Sequence, residues 1–193
     1  MPKSAYVYAG KLRSTPQLHH GPVEIERKFL VSNDEWKRSA VGSVRIRDGL
    51  IAASDGRKAR VRIAGDLATI VIKGPRTGIV RPEFEYEIPL TDAERMLSSI
   101  CADDALQKQR FFVEEAGAIW HVDVYYGLLQ GVVIAEVELK DETQELIIPG
   151  WVGKEVTGDT FYSKVNMRAR ALQGASSQTA PIQSAPAGDP EPI

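Results

Sequence analysis

A single cysteine, Cys101, in 193 residues excludes an internal disulfide framework. It falls in a segment predicted to be helical, where it reads as a buried and inert thiol, and such sparse cysteine usage fits a reducing cytoplasm. No run approaches the ~20 apolar residues of a membrane span. The opening MPKSAYVYAGKLRSTPQ also lacks a continuous apolar stretch of the export-signal kind. The expectation is therefore a cytoplasmic protein with no membrane partner. Charge of one sign is missing as well: 24 Lys+Arg stand against 26 Asp+Glu, a formal −2. Such a balance offers no global field for duplex nucleic acid, so anion binding must come from local arrangement. GxxxxGK[ST], HExxH and Cys-His clusters are absent too, which removes nucleotide-switch, zincin and zinc-finger chemistries.

The chain that remains has 43% hydrophobic and 26% charged residues, ordinary for a globular domain. From Gly174 onward, GASSQTAPIQSAPAGDPEPI lacks apolar periodicity and reads as a disordered tail, 174–193. Residues 1–21, which include His19 and His20, read as a flexible arm in which the two histidines are incidental. The working domain is 22–173.

Within it, short alternating segments recur between turn signals. They are Val23–Val31, Arg45–Ser54, Lys58–Ile63, Ala68–Lys73, Arg81–Ile88, Gln107–Glu114, Ile119–Tyr125 and Val132–Leu139. Ser32 with Glu35 and Thr91 with Glu94 have capping-box spacing, and a third helix is expected from Asp159 to Leu172. The fold class is α+β: an eight-stranded antiparallel β-barrel with flanking helices.

Side chains two apart on a strand share a face. Glu24, Glu26 and Lys28 therefore line up, as do Arg60 with Arg62, and Arg81 with Glu83, Glu85 and Glu87. Lys73 ends a strand, and the pairs Lys108/Arg110, His121/Asp123 and Glu136/Glu138 follow. Any one pair is well explained by a solvated sheet face with ion pairs worth a few tenths of a kcal/mol. Doubled charges on nearly every strand fit better with a barrel whose polar face turns inward around an ionic ligand. Arg and Lys suit phosphate oxygens, and carboxylates suit hard divalent cations.

Glu24-Ile25-Glu26-Arg27-Lys28 resembles the ExExK signature of CYTH domains, the triphosphate tunnel superfamily. Arg60-Val61-Arg62, Ile72-Lys73-Gly74, Arg81 to Pro89, Lys108 to Phe111, Trp120 to Asp123, Ala135 to Leu139 and Gly153 to Thr157 follow in the order of its bacterial members. The resemblance implies a tunnel that hydrolyses a small triphosphate with Mg²⁺ or Mn²⁺. It assigns Glu24, Glu26, Glu136, Glu138 and Asp123 to the metal and Lys28, Arg60, Arg62, Lys73, Lys108 and Arg110 to phosphate. Glu83 and Glu85, with Lys73, are the catalytic candidates, positioning basic residues or a metal-bound water. Inorganic triphosphate leads as substrate, because the domain lacks an obvious base-recognition insertion. An adenylyl cyclase of the same family, a thiamine or nucleoside triphosphatase, and a non-catalytic polyphosphate-binding module stay open, as does assembly into a homodimer.

Two departures stand out. Leu50 occupies a position where many members carry tyrosine, and the last helix reads Tyr162-Ser163-Lys164-Val165-Asn166-Met167 where tyrosine followed soon by Asn and Leu is expected; Lys164 there either reaches the tunnel mouth or, the favoured reading, is a solvated helix residue. His121 is expected to be a strand residue without a special task.

Overall fold

A computed structural model describes residues 22–101 and 105–178, with side chains described through 174. The expected arm 1–21, with His19 and His20, and the tail beyond 178 lie outside the described residues. Among the described residues nine strands form: β1 Val23–Val31, β2 Ala40–Ser54, β3 Arg57–Ala64, β4 Leu67–Lys73, β5 Val80–Glu87, β6 Leu106–Glu115, β7 Ala118–Tyr126, β8 Val133–Glu138 and β9 Val152–Glu155. Two α-helices join them, α1 Leu90–Ser99 and α2 Lys164–Gln178.

The sheet order β5-β4-β3-β2-β6-β7-β8-β1 is closed by a β5–β1 pairing, so eight antiparallel strands make a barrel. β1 serves three neighbours: Glu24 sits opposite Arg81 of β5, Glu26 opposite Glu138 of β8, and Phe29 opposite Glu155 of β9. β9, four residues long, is a ninth strand that sequence periodicity does not reveal, since so short a run shows no alternation. The β2–β3 hairpin turns at Asp55-Gly56, both at positive φ (48° and 77°), the two-residue geometry in which glycine avoids a Cβ clash.

Alternation places apolar side chains outside the barrel and charged ones inside. Ile25, Phe29, Trp120, Val122 and Val137 form an outer core with Trp36 and Trp151. Val61, Ile63 and Ala68 form a second beneath α1, with Ala93, Met96 and Leu97. At Gly49 the helix comes so close that a Cβ would lie 2.5 Å from Leu97 Cδ2 and 2.6 Å from Cys101 Sγ. Cys101 follows α1 rather than lying within it and is only partly buried, and burial raises its thiol pKa. A third cluster packs Leu106, Tyr125 and Ile134, on the inward alternation of their strands, against Leu129 and against Met167 of α2, and fills one end of the barrel.

The helix starts differ from the capping-box reading. Ser32 Oγ donates to the Trp151 carbonyl at 2.8 Å, and Asn33 Oδ1 accepts from Glu35 N, opening a 3₁₀ turn over Glu35–Ser39 instead of an α-helix. α1 starts behind Pro89 with no side-chain cap, and Glu94 is drawn away into an ion pair with Arg47. Asp159 caps a 3₁₀ turn, Thr160–Tyr162, accepting from Phe161 N at 2.8 Å. α2 begins only at Lys164, with Ser163 Oγ accepting from Asn166 N, and runs to Gln178, into the stretch expected as tail.

Candidate functional site

The inward faces of the strands line one cavity of about 1790 Å³. Glu24, Glu26 and Lys28 reach it from β1, Arg60 and Arg62 from β3, and Lys73 from β4. Glu83 and Glu85 reach it from β5, Arg110 from β6, and Glu136 and Glu138 from β8. A barrel interior of this size and polarity holds a ligand rather than a packed core.

Two of the expected site residues lie behind this wall. Asp123 is wholly buried, with Oδ1 accepting from Arg110 Nε at 2.7 Å and Oδ2 from Arg110 Nη2 at 2.8 Å and from Lys108 Nζ. Lys108 is equally enclosed, its ammonium 5.7 Å from the centre of the Tyr125 ring. Burial works against the Asp123 charge, but Arg110 and Lys108 outweigh it and hold the carboxyl below its ordinary value. Neither Asp123 nor Lys108 touches the lumen; Asp123 anchors Arg110, which does.

Asp48 of β2 plays the corresponding part beneath Arg60 and Arg62. It is 1% exposed at its side chain and accepts from Arg60 Nη1 at 2.7 Å and Lys164 Nζ at 2.8 Å. Burial opposes its charge, yet Lys164, Arg60 and Arg62 keep it well below the usual carboxylate range. Lys164 is therefore a partly buried ion-pair partner that lines the tunnel, so of its two readings the solvated helix residue is corrected; the first turn of α2 inserts it into the barrel. Leu50 lines a small pocket together with Arg60, Lys164 and Val165, so the position where a tyrosine was expected adjoins this same helix start.

Nearer the lumen, Lys73 Nζ lies 2.8 Å from Glu24 and 2.9 Å from Glu83. Glu24 also pairs with Arg81, and Glu26 accepts from Arg76 at 2.7 Å and from Arg81 at 2.9 Å. Lys28 meets Glu136 at 3.1 Å, and Arg110 reaches the other Glu136 oxygen at 2.8 Å. Glu83 resists the cost of burial through Lys73 and stays below its ordinary pKa. Glu85 accepts from Thr69 Oγ1 at 2.8 Å. His121 is buried beside Arg110, whose Nη1 lies 3.3 Å from Nδ1; burial, then Arg110, lowers its pKa to about 3, so it stays neutral.

Among the described residues, Arg62 and Glu138 are two tunnel-lining groups whose charge is only loosely met. Arg62 makes no hydrogen bond; its nearest acids are Asp48 at 3.7 Å and Glu85 at 3.9 Å, and its buried Nε has no partner. Glu138, across β1–β8 from Glu26, has no ion pair. It is open to the tunnel's water yet walled by protein, and burial with repulsion from Glu24, Glu26 and Glu83 pushes its carboxyl up to about 7. Asp48, Arg76, Arg81 and Lys164 complete the network without having been expected in the site. The Arg81 alternation was visible in sequence, whereas Arg76 lies in a loop that no periodicity describes.

The CYTH domain family matches residues 22–171. An inorganic triphosphatase of Acetivibrio thermocellus is 42% identical over 144 residues, covering 75% of this chain and 92% of the relative. An inorganic triphosphatase of Nitrosomonas europaea is 33% identical over 143 residues, covering 72% and 92%. A crystal structure of an inorganic triphosphatase superimposes with a TM-score of 0.54 at 29% identity, covering 75% of this chain and 97% of that one.

Proposed function

The chain belongs to the CYTH domain family, and from that premise we propose that it hydrolyses a small triphosphate, foremost inorganic triphosphate, to pyrophosphate and phosphate inside the tunnel. One observation carries the proposal: among the described residues the lumen holds charge of both signs that the protein meets only loosely, with Arg62 no closer than 3.7 and 3.9 Å to its acids and its buried Nε unsatisfied, and with Glu138 lacking an ion pair. A lone anion would serve the first and aggravate the second. A polyphosphate accompanied by a divalent cation serves both. Two relatives named inorganic triphosphatase, each matched over 92% of its length, support this choice of substrate.

Glu24, Glu26, Glu136 and Glu138 offer the hard oxygen donors that suit Mg²⁺ or Mn²⁺. The donor set fits such an ion chemically, because burial and repulsion from Glu24, Glu26 and Glu83 hold Glu138 in a state that a cation would relieve. Among the described residues no three acids already converge as a cage, so binding would draw Glu24 and Glu26 away from Arg76 and Arg81. When bound, the metal supplies Lewis-acid polarisation of phosphate oxygens. Asp123 we reassign from the metal to the support of Arg110.

The chain's own residues do the rest. Arg62, Lys28, Lys73, Arg60 and Arg110 spread the substrate's negative charge, held in place by Asp48, Asp123 and Glu136 and, for Lys73, by Glu83. Phosphoryl transfer asks mainly for positioning and charge stabilisation, so no Ser or Cys nucleophile is required. Glu83 and Glu85 face the lumen, where Glu83 holds Lys73 and Glu85 approaches Arg62, and their role in this reading is to orient the attacking water. A cytoplasmic setting fits the single cysteine.

Phosphate release from inorganic triphosphate, ATP and thiamine triphosphate, each with Mg²⁺, Mn²⁺ or chelator, tests the reading. Metal-dependent release from inorganic triphosphate is expected. Cyclic nucleotide from ATP would replace it with a lyase, and tight binding without turnover would replace it with a binding module.

A further inference from the structure

The basic side chains that the barrel strands turn into the tunnel come with carboxylates attached. Lys28 has Glu136 at 3.1 Å, Arg60 has Asp48 at 2.7 Å, Lys73 has Glu24 at 2.8 Å, Arg110 has Asp123 at 2.7 Å, and even Arg62 has Asp48 at 3.7 Å. Lys58 is the exception. It lines the tunnel from the first full rung of β3, on the same face as Arg60 and Arg62, and among the described residues no carboxylate lies within ion-pair reach of it. Across the β3–β4 ladder its register partner is another cation, Lys73.

Like charges placed directly opposite each other on a ladder are destabilising. Lys73 escapes the cost through Glu24 and Glu83, which occupy its ammonium at 2.8 and 2.9 Å. Lys58 has no such relief, since its leading charged neighbours are Arg60, Arg81, Lys28 and Lys73; half burial and these four cations bring its pKa to about 8. A flexible four-carbon stem near the open Gly56 turn could leave this cluster for bulk water, yet the side chain stays half buried among cations. That arrangement is costly in the empty protein and becomes favourable only when an anion enters.

We propose that Lys58 is a substrate-binding residue: its free ammonium meets a phosphate oxyanion of the linear polyphosphate, extending the Arg60–Arg62 row by one cation. The assignment rests on the triphosphate reading of the tunnel and adds to it a contact that draws on no carboxylate partner. Phosphate met here requires no ion pair to be broken first, unlike phosphate met at Lys73 or Arg81.

The experiment compares wild type with Lys58→Met, which keeps the stem and removes the charge, and with Lys58→Arg. Calorimetric Kd for inorganic tripolyphosphate in chelator, KM with Mg²⁺ and the Tm of the ligand-free protein are measured. A charge-assisted contact predicts a roughly 10- to 100-fold rise in Kd and KM for Lys58→Met, substantial recovery in Lys58→Arg, and a ligand-free Tm equal to or above wild type. The unchanged or higher Tm separates binding from a structural role, which would lower it. Kd and KM for Lys58→Met within two-fold of wild type, or a lowered Tm with unchanged Kd, overturns the assignment. If wild type binds tripolyphosphate but releases no phosphate, the hydrolytic reading fails alone, and the Kd comparison still decides Lys58. Wild type that neither binds nor hydrolyses it overturns both.

Discussion

Replacing Asp123 by Asn tests whether the layer behind the tunnel wall holds the site together. The substitution conserves shape and removes one charge from a carboxylate with no exposure at all. Asp123 serves two cations: Arg110 in a two-pronged contact at 2.7 and 2.8 Å, and Lys108, whose side chain is 1% exposed. After the change Arg110 keeps Glu136 at 2.8 Å, but Lys108 loses its only ion-pair partner among the described residues. Breaking a buried pair by removing one partner costs about 3–5 kcal/mol, because the other charge remains buried without compensation. With a urea m-value of about 2 kcal/mol/M, the unfolding midpoint should fall by roughly 2 M.

Lys108→Met supplies the contrast. It removes a buried cation while Asp123 keeps both contacts to Arg110, so its cost should be about 1 kcal/mol or less. Urea unfolding of the two variants at pH 7, followed by far-ultraviolet circular dichroism, checks the order. An Asp123→Asn loss below about 1 kcal/mol, or a Lys108→Met loss that exceeds it, would refute the view that Asp123 is the keystone and Lys108 a dependent.

Glu24→Gln and Glu138→Gln should each abolish metal-dependent phosphate release while circular dichroism stays native; activity retained in both would sink the metal assignment. Arg62→Ala should raise KM roughly 10- to 100-fold, the worth of charge-assisted hydrogen bonds that only substrate completes, and an unchanged KM would remove Arg62 from the grip. For pH, Glu138 is held near 7 in the fold against an ordinary 4.5, so the folded chain retains a proton that the unfolded chain has lost. Its contribution to stability therefore falls as pH rises from about 4.5 to about 7 and stays low above that. His121, lowered from 6.5 to about 3, works in the opposite direction, losing stability as pH falls below 6.5. Because His121 is common to both proteins, the difference in Tm between metal-free Glu138→Gln and wild type isolates Glu138. That difference should favour the variant increasingly up to pH 7.5, and a flat difference would contradict the repulsion. Gly49→Ala should cost about 1–3 kcal/mol by driving a methyl into Leu97 and Cys101, measured by thermal unfolding.

Much of this architecture was legible because a strand's period of two is written directly into its residue types. Glu24, Glu26 and Lys28 alternate with Ile25 and Phe29, and the structure puts the first three in the tunnel and the last two in the outer core. Period, however, gives the face and not the depth. Asp123 and Glu136 read alike as inward acids, yet the end filled by Tyr125, Ile134 and Met167 lies next to Asp123 and closes the lumen above it. Nor does period reveal partners across the barrel. Asp48 sits in an irregular run, Asp48-Gly49-Leu50, and its significance appears only when Lys164 arrives from 116 residues later in the chain. Lys58 read as the mere start of a strand because its isolation from carboxylates is a property of three neighbouring strands together.

The same network explains why charge so concentrated does not unfold the barrel. Burying a lone ion is costly, whereas a paired and hydrogen-bonded ion is tolerated. Here Asp48 and Asp123 hold Arg60, Lys108 and Arg110 from behind, Glu136 in the wall itself holds Lys28 and Arg110, and these acids stay ionised in the empty protein. Glu24 and Glu26, by contrast, are tied to Lys73, Arg76 and Arg81, cations that themselves suit phosphate. A divalent cation taken up by those two acids releases the three basic side chains toward an anion, and an anion that engages the basic side chains frees the acids for a cation. Each ligand thus lowers the cost of binding the other, and by linkage the strengthening must be equal in both directions. The Kd of Mg²⁺ measured with and without tripolyphosphate should shift by the same factor as the Kd of tripolyphosphate measured with and without Mg²⁺, each extrapolated to zero turnover. No shift at all would mean that the pairs seen in the empty tunnel persist when it is filled.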